Sequence, residues 1–410
     1  MFDEISLYHW RQFNQINIAL HERMTVLTGQ NGTGKTTILN ILSKHFGWNL
    51  RFISTPLSTS KKRSKRIWSD VWDSFLSDTS PPPGAHDVGK IKYKDGGECR
   101  LMAPPHVAQA QYDLTYQNQK TVLGLHIPDH RPSFSYHRIH NIPVDPKTSQ
   151  QHYQAYQGIL QEFFLSDRSQ NPGIMLKQSL IALAVFGYGN QAVVENSEYK
   201  KMFEEFQNIL NILLPKSLGF KHLEIRMPDI VFVTESGDFS LDAASGGVGA
   251  LVGIAWQVFM YGQDNTDFVV TIDEPESHLH PSMQRELLPN LFRAFPQTQF
   301  IVATHSPFIV TSAPEARVYA LIYNESQRVN SCLLEKAELS GTANEVLREI
   351  LGVSMTVPIW VENRFNDIIE KYKDRELTME LLRQLKAELI ENNLVAYLPE
   401  AINKVGGEYA

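Results

Sequence analysis

Two adjacent carboxylates, Asp273 and Glu274, end the apolar run of FVVTIDEPESHLHP (268–281), and a proline follows them. Negative charge at the edge of a core is costly unless a cation or a proton transfer compensates it. A stretch far upstream supplies that compensation. In MTVLTGQNGTGKTTILNILSKHFG, the residues Gly29, Gln30, Asn31, Gly32, Thr33, Gly34, Lys35 and Thr36 fit GxxxxGK[ST]. Glycines let the backbone approach a phosphate, and the N–H groups of the turn and helix start, through Thr37, point at the anion. Lys35 adds a mobile positive charge, and Thr36 offers a hydroxyl to Mg2+. Asp273 at a strand end can then stand beside that metal, with Glu274 placed to orient or deprotonate an attacking water. The pairing implies ATP and Mg2+. A helix cap at Glu276 or Ser277 is the bland alternative for the acidic cluster, and it leaves Asp273 and Glu274 unexplained.

The elements needed to hold these groups are legible around them. Met24–Thr28 is short, apolar and β-prone, and Ile38, Leu39, Ile41 and Leu42 continue a helix after the glycine turn. LDAASGGVGALVGIAWQVF places Ser245, Gly246 and Gly247 before a long apolar helix, 28 residues upstream of Asp273. TQFIVATHSPFIV reads as another buried strand, ending at His305, 32 residues after Asp273. The formal charge of −7 gives no global basic field, so nucleic-acid binding would need a local patch. Cys99 and Cys332 are too few for a disulfide framework, which points to a reducing cytoplasm. The longest apolar stretch, at 250–262, is shorter than a membrane span needs, so no membrane contact is expected.

Phosphate loop, SGG before a helix, a strand ending in Asp-Glu and a strand ending in His, in that order, resemble the ATP-binding cassette (ABC) class. IDEPESHLHP and FIVATHSPFIV are similar to its soluble SMC/RecF-like branch. They most resemble the ATPases of bacterial anti-phage defence: the overcoming-lysogenisation-defect family and the Septu, PARIS and retron-associated subunits. The resemblance rests on 24–46, 241–281 and 298–312. It implies ATPase heads that pair head-to-tail as a homodimer or higher homo-oligomer. Ser245, Gly246 and Gly247 of one copy would contact the γ-phosphate held by the other, and His305 would sense it. It also implies a separately encoded effector, a nuclease or a toxin. The residues after His305 hold no acidic constellation of the TOPRIM nuclease type, so the chain itself is not expected to cut nucleic acid. The glutamine that joins the magnesium sphere in this class is not located. Gln109, Gln111 and Gln117 come early, and TVLGLHIPDHRPSFSY offers His130 and Arg131 instead. Arg131 is open between a phosphate or interface contact and a surface ion pair.

The implied fold is α/β: a P-loop ABC-type core, a mostly parallel sheet with flanking helices, plus an antiparallel β-layer and a helical lobe. As one discontinuous head over 1–410, the core is expected at 1–60 and 231–335, with a β-rich insertion at 61–149. A helical lobe is expected at 150–230 and a C-terminal helical region at 336–410. A hairpin should turn at Asp95, Gly96 and Gly97. Without sustained heptads, a long SMC-like arm is not expected. Five of the six residues Lys61–Arg66 are basic, and Ile67, Val71, Trp72, Phe75 and Leu76 follow at helical spacing. This patch reads either as a nucleic-acid contact or, preferably, as a solvated face. His278 and His280 have the spacing of a metal pair but sit in the expected interface segment. A DNA-repair ATPase of RecF type, a transporter ATPase subunit and a binding module without hydrolysis remain the alternatives.

Overall fold

Continuous apolar runs dictate the centre of the molecule. MTVLTG, VVTID and QFIVA are buried at every residue, the pattern of strands covered on both faces. The computed structural model describes residues 1–56, 67–68, 85–104, 111–132, 134–165, 171–335, 343, 346–347, 358–373 and 378–406. Two compact units are present, Met1–Val346 and Leu347–Ala410.

Strands β1 (Phe2–Trp10), β2 (Phe13–Ala19) and β3 (Met24–Gly29) lead into helix α1 (Lys35–Ser43). Short strands β4 (Phe52–Ile53), β5 (Thr55–Pro56) and β6 (Ile67–Trp68) precede the hairpin of β7 (His86–Tyr93) and β8 (Glu98–Ala103). Then come β9 (Gln111–Tyr112), β10 (Thr115–Gln117), β11 (Gly124–Ile127) and helices α2 (Ser149–Leu165), α3 (Pro172–Tyr188) and α4 (Ser197–Leu213). Strands β12 (Phe220–Arg226), β13 (Asp229–Thr234) and β14 (Phe239–Ser240) form a small sheet before α5 (Gly246–Asp264). The chain continues through β15 (Val269–Asp273), α6 (Pro281–Ala294), β16 (Gln299–Ala303), α7 (Pro307–Val310), β17 (Arg317–Tyr323) and β18 (Val329–Leu333).

One 11-stranded sheet runs β10-β8-β7-β1-β2-β18-β17-β3-β16-β15-β11. From β17 to β11 every neighbour is parallel, and from β10 to β2 every neighbour is antiparallel. The expected parallel core and antiparallel layer are thus halves of a single sheet. Strand β18 joins them, antiparallel to β17 and parallel to β2. The hairpin turns where expected, with Tyr93 donating its N–H to the Gly97 carbonyl. Ile67, read as the start of a helical stripe, instead forms β6 with Trp68 against β5. Lys61–Arg66, Val71, Trp72, Phe75 and Leu76 lie outside the described residues.

Helix α5 is buried from Gly247 to Met260, packed by α2 and α4. Among the described residues, no helix is long and apolar enough to cross a membrane. Helix α3 is apolar on nearly every face, yet it carries Lys177 with its side chain only 1 % exposed. The ammonium donates to the carboxylates of Asp229 and Asp242 and to the His137 carbonyl. Asp242 stands three residues before Ser245, so this cluster ties α3 to the approach of α5. The second unit has its own core of Phe365, Ile368, Leu385, Leu389 and Ala401. The charged stretch after Arg364 reads as one helix in sequence but forms two, Ile359–Tyr372 and Met379–Glu391. Thr378 caps the second, its hydroxyl accepting from the Leu381 N–H.

Lys177→Met leaves the Asp242 carboxylate buried without its cation. Stability should fall by about 3 kcal/mol, read from urea unfolding. A loss below about 1 kcal/mol would mean that water reaches the pair.

Candidate nucleotide site

Strand register brings the candidate residues to one edge. Asp273 lies opposite Ala303, and Ala303 lies opposite Leu27. The acidic turn, the loop carrying His305 and the glycine turn therefore leave the sheet side by side, at the carboxyl ends of β15, β16 and β3. That edge is where open parallel sheets bind ligands.

The glycine turn needs its glycines. Gly29 has φ +141°, and a Cβ there would sit 2.4 Å from the Leu321 carbonyl oxygen. Gly34 has φ +97°, and its Cβ would meet Gln12 Nε2 at 2.3 Å and the Phe13 ring at 2.5 Å. Asn31 and Gly32 are exposed, Thr33 and Gly34 buried, and Thr36 and Thr37 stand in the first turn of α1. Lys35 is 6 % exposed and donates to the carbonyls of Gly29 (2.8 Å) and Gln30 (3.1 Å). Burial lowers its pKa, opposed by the charges of Glu274, Asp273 and Glu276.

Asp273 is 2 % exposed. Burial raises its carboxyl to about 6, while the nearby Thr36 hydroxyl and the Lys35 charge pull the other way. Its Oδ1 is buried and reached by no hydrogen bond. A cation of oxygen preference fits such an orphan oxygen beside a threonine hydroxyl, so Thr36 and Asp273 could hold Mg2+. Nucleotide-bound Mg2+ takes few protein ligands and completes its shell with phosphate and water oxygens. Among the described residues, no group of three or more His, Cys, Asp or Glu could hold a metal by itself.

Glu274 is one-third exposed and sits at φ +44°, a strained conformation for a non-glycine residue. Its carboxylate lies 3.2 Å from His305 Nδ1. Glu276, two residues on, is buried. Its Oε1 accepts from the Thr304 hydroxyl (2.5 Å) and from the N–H groups of His305 (3.0 Å) and Ser306 (3.1 Å). Sequence reasoning left this clamp between the acidic turn and the histidine loop as interface lining. The signal available was a second acid at i+2 with a proline between.

The remaining candidates take different places. Ser245 and Gly246 are exposed at the start of α5, where the Ser245 hydroxyl accepts from the Val248 N–H. Gly246 and Gly247 abut His278 and Met283. His280, rather than Glu276 or Ser277, caps α6, accepting from the Ser282 N–H. That cap and the contact of His278 with α5 account for both histidines. Gln117 lies on β10, the edge strand farthest from β11, and so not at the acidic turn, while Gln111 lies on β9, which pairs with β4 in a separate sheet. Gln109 lies outside the described residues. His130 pairs with Asp129 at the surface. Arg131 spends its guanidinium on backbone carbonyls of the acidic turn, rather than in a surface ion pair.

The raised carboxyl of Asp273 has a consequence for stability. Between about pH 4 and 6 the folded protein holds a proton that the unfolded chain has lost, so stability falls as pH rises through this window. Asp273→Asn should therefore stabilise the protein without added ligand at pH 7–8, by at most about 3 kcal/mol, with the gain vanishing near pH 4. Chemical denaturation across that range tests it. A gain independent of pH would remove burial of the ionised carboxylate as the cause.

An AAA-domain family model, AAA_23, matches residues 4–221. A second AAA-domain model, described for AbiEii toxins of type IV toxin–antitoxin systems, matches 234–311. The Retron Ec83 probable ATPase of Escherichia coli is 21 % identical over 90 % of this chain and 79 % of its own length. The Septu protein PtuA of Bacillus thuringiensis is 21 % identical over 85 % of this chain and 84 % of its own. Among solved structures, the SMC head domain from Thermotoga maritima aligns with 82 % of this chain and 99 % of its own. It does so at a TM-score of 0.42 and 16 % identity. With a glycine turn, acidic strand end and histidine loop meeting at one sheet edge, and a family match covering more than half of its 410 residues, the chain belongs to the AAA_23 family of AAA domains.

Proposed function

We propose that the chain is an ATP-hydrolysing switch of an anti-phage defence system. In this reading it pairs with a second copy when ATP binds and controls a separately encoded effector, a nuclease or a toxin. One observation carries it: Lys35, Thr36, Asp273, Glu274 and His305 emerge from three adjacent strand ends, with Glu274 and His305 3.2 Å apart.

The amides from Gly29 to Thr37 cradle the phosphates, and Lys35 exchanges its loop carbonyls for phosphate oxygens. Thr36 and Asp273 would hold Mg2+, which would supply polarisation of the terminal phosphate when bound. Glu274 orients the attacking water and accepts its proton. His305 Nδ1 lies 3.2 Å from the Glu274 carboxylate and its side chain is half exposed, a position suited to sensing the terminal phosphate. Ser245 and Gly246 are exposed at the start of a 19-residue helix, whose N-terminal amides and dipole favour an anion held by a second copy. The likeness to a retron ATPase and to a Septu protein supports the defence role.

Lys35→Ala should lose ATP binding at least 30-fold, measured by titration with a fluorescent ATP analogue. Unchanged affinity would overturn the phosphate-loop assignment. Glu274→Gln should keep wild-type ATP affinity while turnover falls at least 100-fold. A species of doubled mass should accumulate with ATP in light scattering. Full turnover without that species would take the general base away from Glu274.

A further inference from the structure

We propose that Arg131 is the positioning residue for Glu274, and that with Phe134 it links the acidic turn to the start of α5. The proposal rests on the ATPase reading for its effect on turnover, and on geometry alone for the link.

The guanidinium of Arg131 is enclosed, and its partners are unusual. Nη1 donates to the carbonyls of Pro128 and Asp273, both at 3.3 Å. Nη2 donates to those of Glu274 (2.9 Å), Pro275 (3.3 Å) and Ser277 (3.4 Å). Burial works against its charge, while Glu276, Asp129, Asp273 and Glu274 favour it. The acid side chains near it are thus left to other tasks, and the cation braces the main chain that carries them. The braced turn is the strained one. Glu274 sits at φ +44° and His278 at φ +71°, and the Glu274 carbonyl also accepts from the Ser277 N–H. The planar fork of arginine collects such carbonyls on two nitrogens in fixed directions, whereas a lysine offers a single nitrogen. With its N–H bonded to the Ala303 carbonyl and its C=O to Arg131, Glu274 has both sides of its backbone held. Its side-chain direction toward His305 follows from that.

Three residues later, Phe134 enters a slot made by two glycines. A Cβ on Gly173 of α3, or on Gly249 of α5, would lie 2.7 Å from the ring. Gly249 is one helical turn beyond Ser245. Arg131 and Phe134 line a small cavity with Tyr156 of α2 and Gly253 of α5. A close-packed contact of this kind transmits displacement rather than absorbing it. Any movement of the α5 start must then shift Phe134, and with it the brace on Glu274. The base that acts on one nucleotide is thereby made sensitive to the helix start that meets the other.

The test compares Arg131→Lys, Phe134→Ala and the double variant. In hydrogen exchange without nucleotide, Phe134→Ala should speed exchange of the amides of Glu274, Glu276, Ser277 and His278, although the ring lies between α3 and α5. Unchanged exchange there overturns the link, whatever the enzyme's activity. In turnover assays, Arg131→Lys should lower kcat at least 30-fold with KM within threefold of wild type. The double variant should be no slower than Arg131→Lys alone, since a link cut at one end loses nothing more at the other. A kcat within threefold of wild type, or losses that multiply, would sink the proposal. Thermal unfolding of Arg131→Lys within a few degrees of wild type separates positioning from misfolding. A wild-type protein that neither binds nor hydrolyses ATP would count against the ATPase reading, while the exchange result would still decide the link.

Discussion

An ionised carboxylate inside a protein must be matched by a cation, a hydrogen-bond network or a proton, and Asp273 is matched only in part. The Thr36 hydroxyl and the Lys35 charge favour its ionised form, yet its Oδ1 is buried with no hydrogen-bond partner. Lys35 is close enough to matter electrostatically, but its own donors are spent on two carbonyls of the glycine turn. The fold therefore holds an unbalanced charge at the carboxyl end of its central strands. The arrangement is most economical if another group of positive charge completes it. In the proposed function a metal-bound triphosphate would settle both imbalances at once, giving the orphan oxygen a cation and Lys35 an anion.

Around that imbalance the protein spends much of its polar bonding on backbone. Glu276 gives an oxygen to two amides and a hydroxyl of the histidine loop. Arg131 collects carbonyls of the acidic turn. Together they hold a strained turn from two sides, which is how a non-glycine residue can be kept in the left-handed region. The outcome is a carboxylate and an imidazole fixed at hydrogen-bonding distance, on a loop that would otherwise relax.

The helices beside the sheet repeat the same economy. Lys177 bridges Asp229 and Asp242 inside an apolar lobe, and so fixes the approach to the turn of Ser245 and Gly246. A buried pair of this kind contributes little net stability against apolar replacements, but it specifies geometry. That is a fitting property for a helix start whose proposed partner lies on another molecule.

Much of this was legible in the chain. The glycine turn with its flanking strand and helix is a local pattern, because the residues that contact a phosphate there are neighbours in sequence. The all-buried strands were legible because parallel strands covered on both faces must be continuously apolar. The hairpin at Asp95, Gly96 and Gly97 was legible because such a turn demands those residue types. The small sheet at 220–240 and the break at Thr378 were not, since each depends on packing or capping that competes with weak local preferences. Arg131 and Glu276 were visible as charges but not as braces. A guanidinium reads the same in sequence whether it meets a carboxylate, a phosphate or a row of carbonyls. Sequence alone thus determined the chemistry on offer: an anion cradle, a carboxylate pair and a histidine. Tertiary structure decided which of these share an edge and what holds them there, because register and backbone hydrogen bonds join residues more than a hundred positions apart and leave no periodic trace.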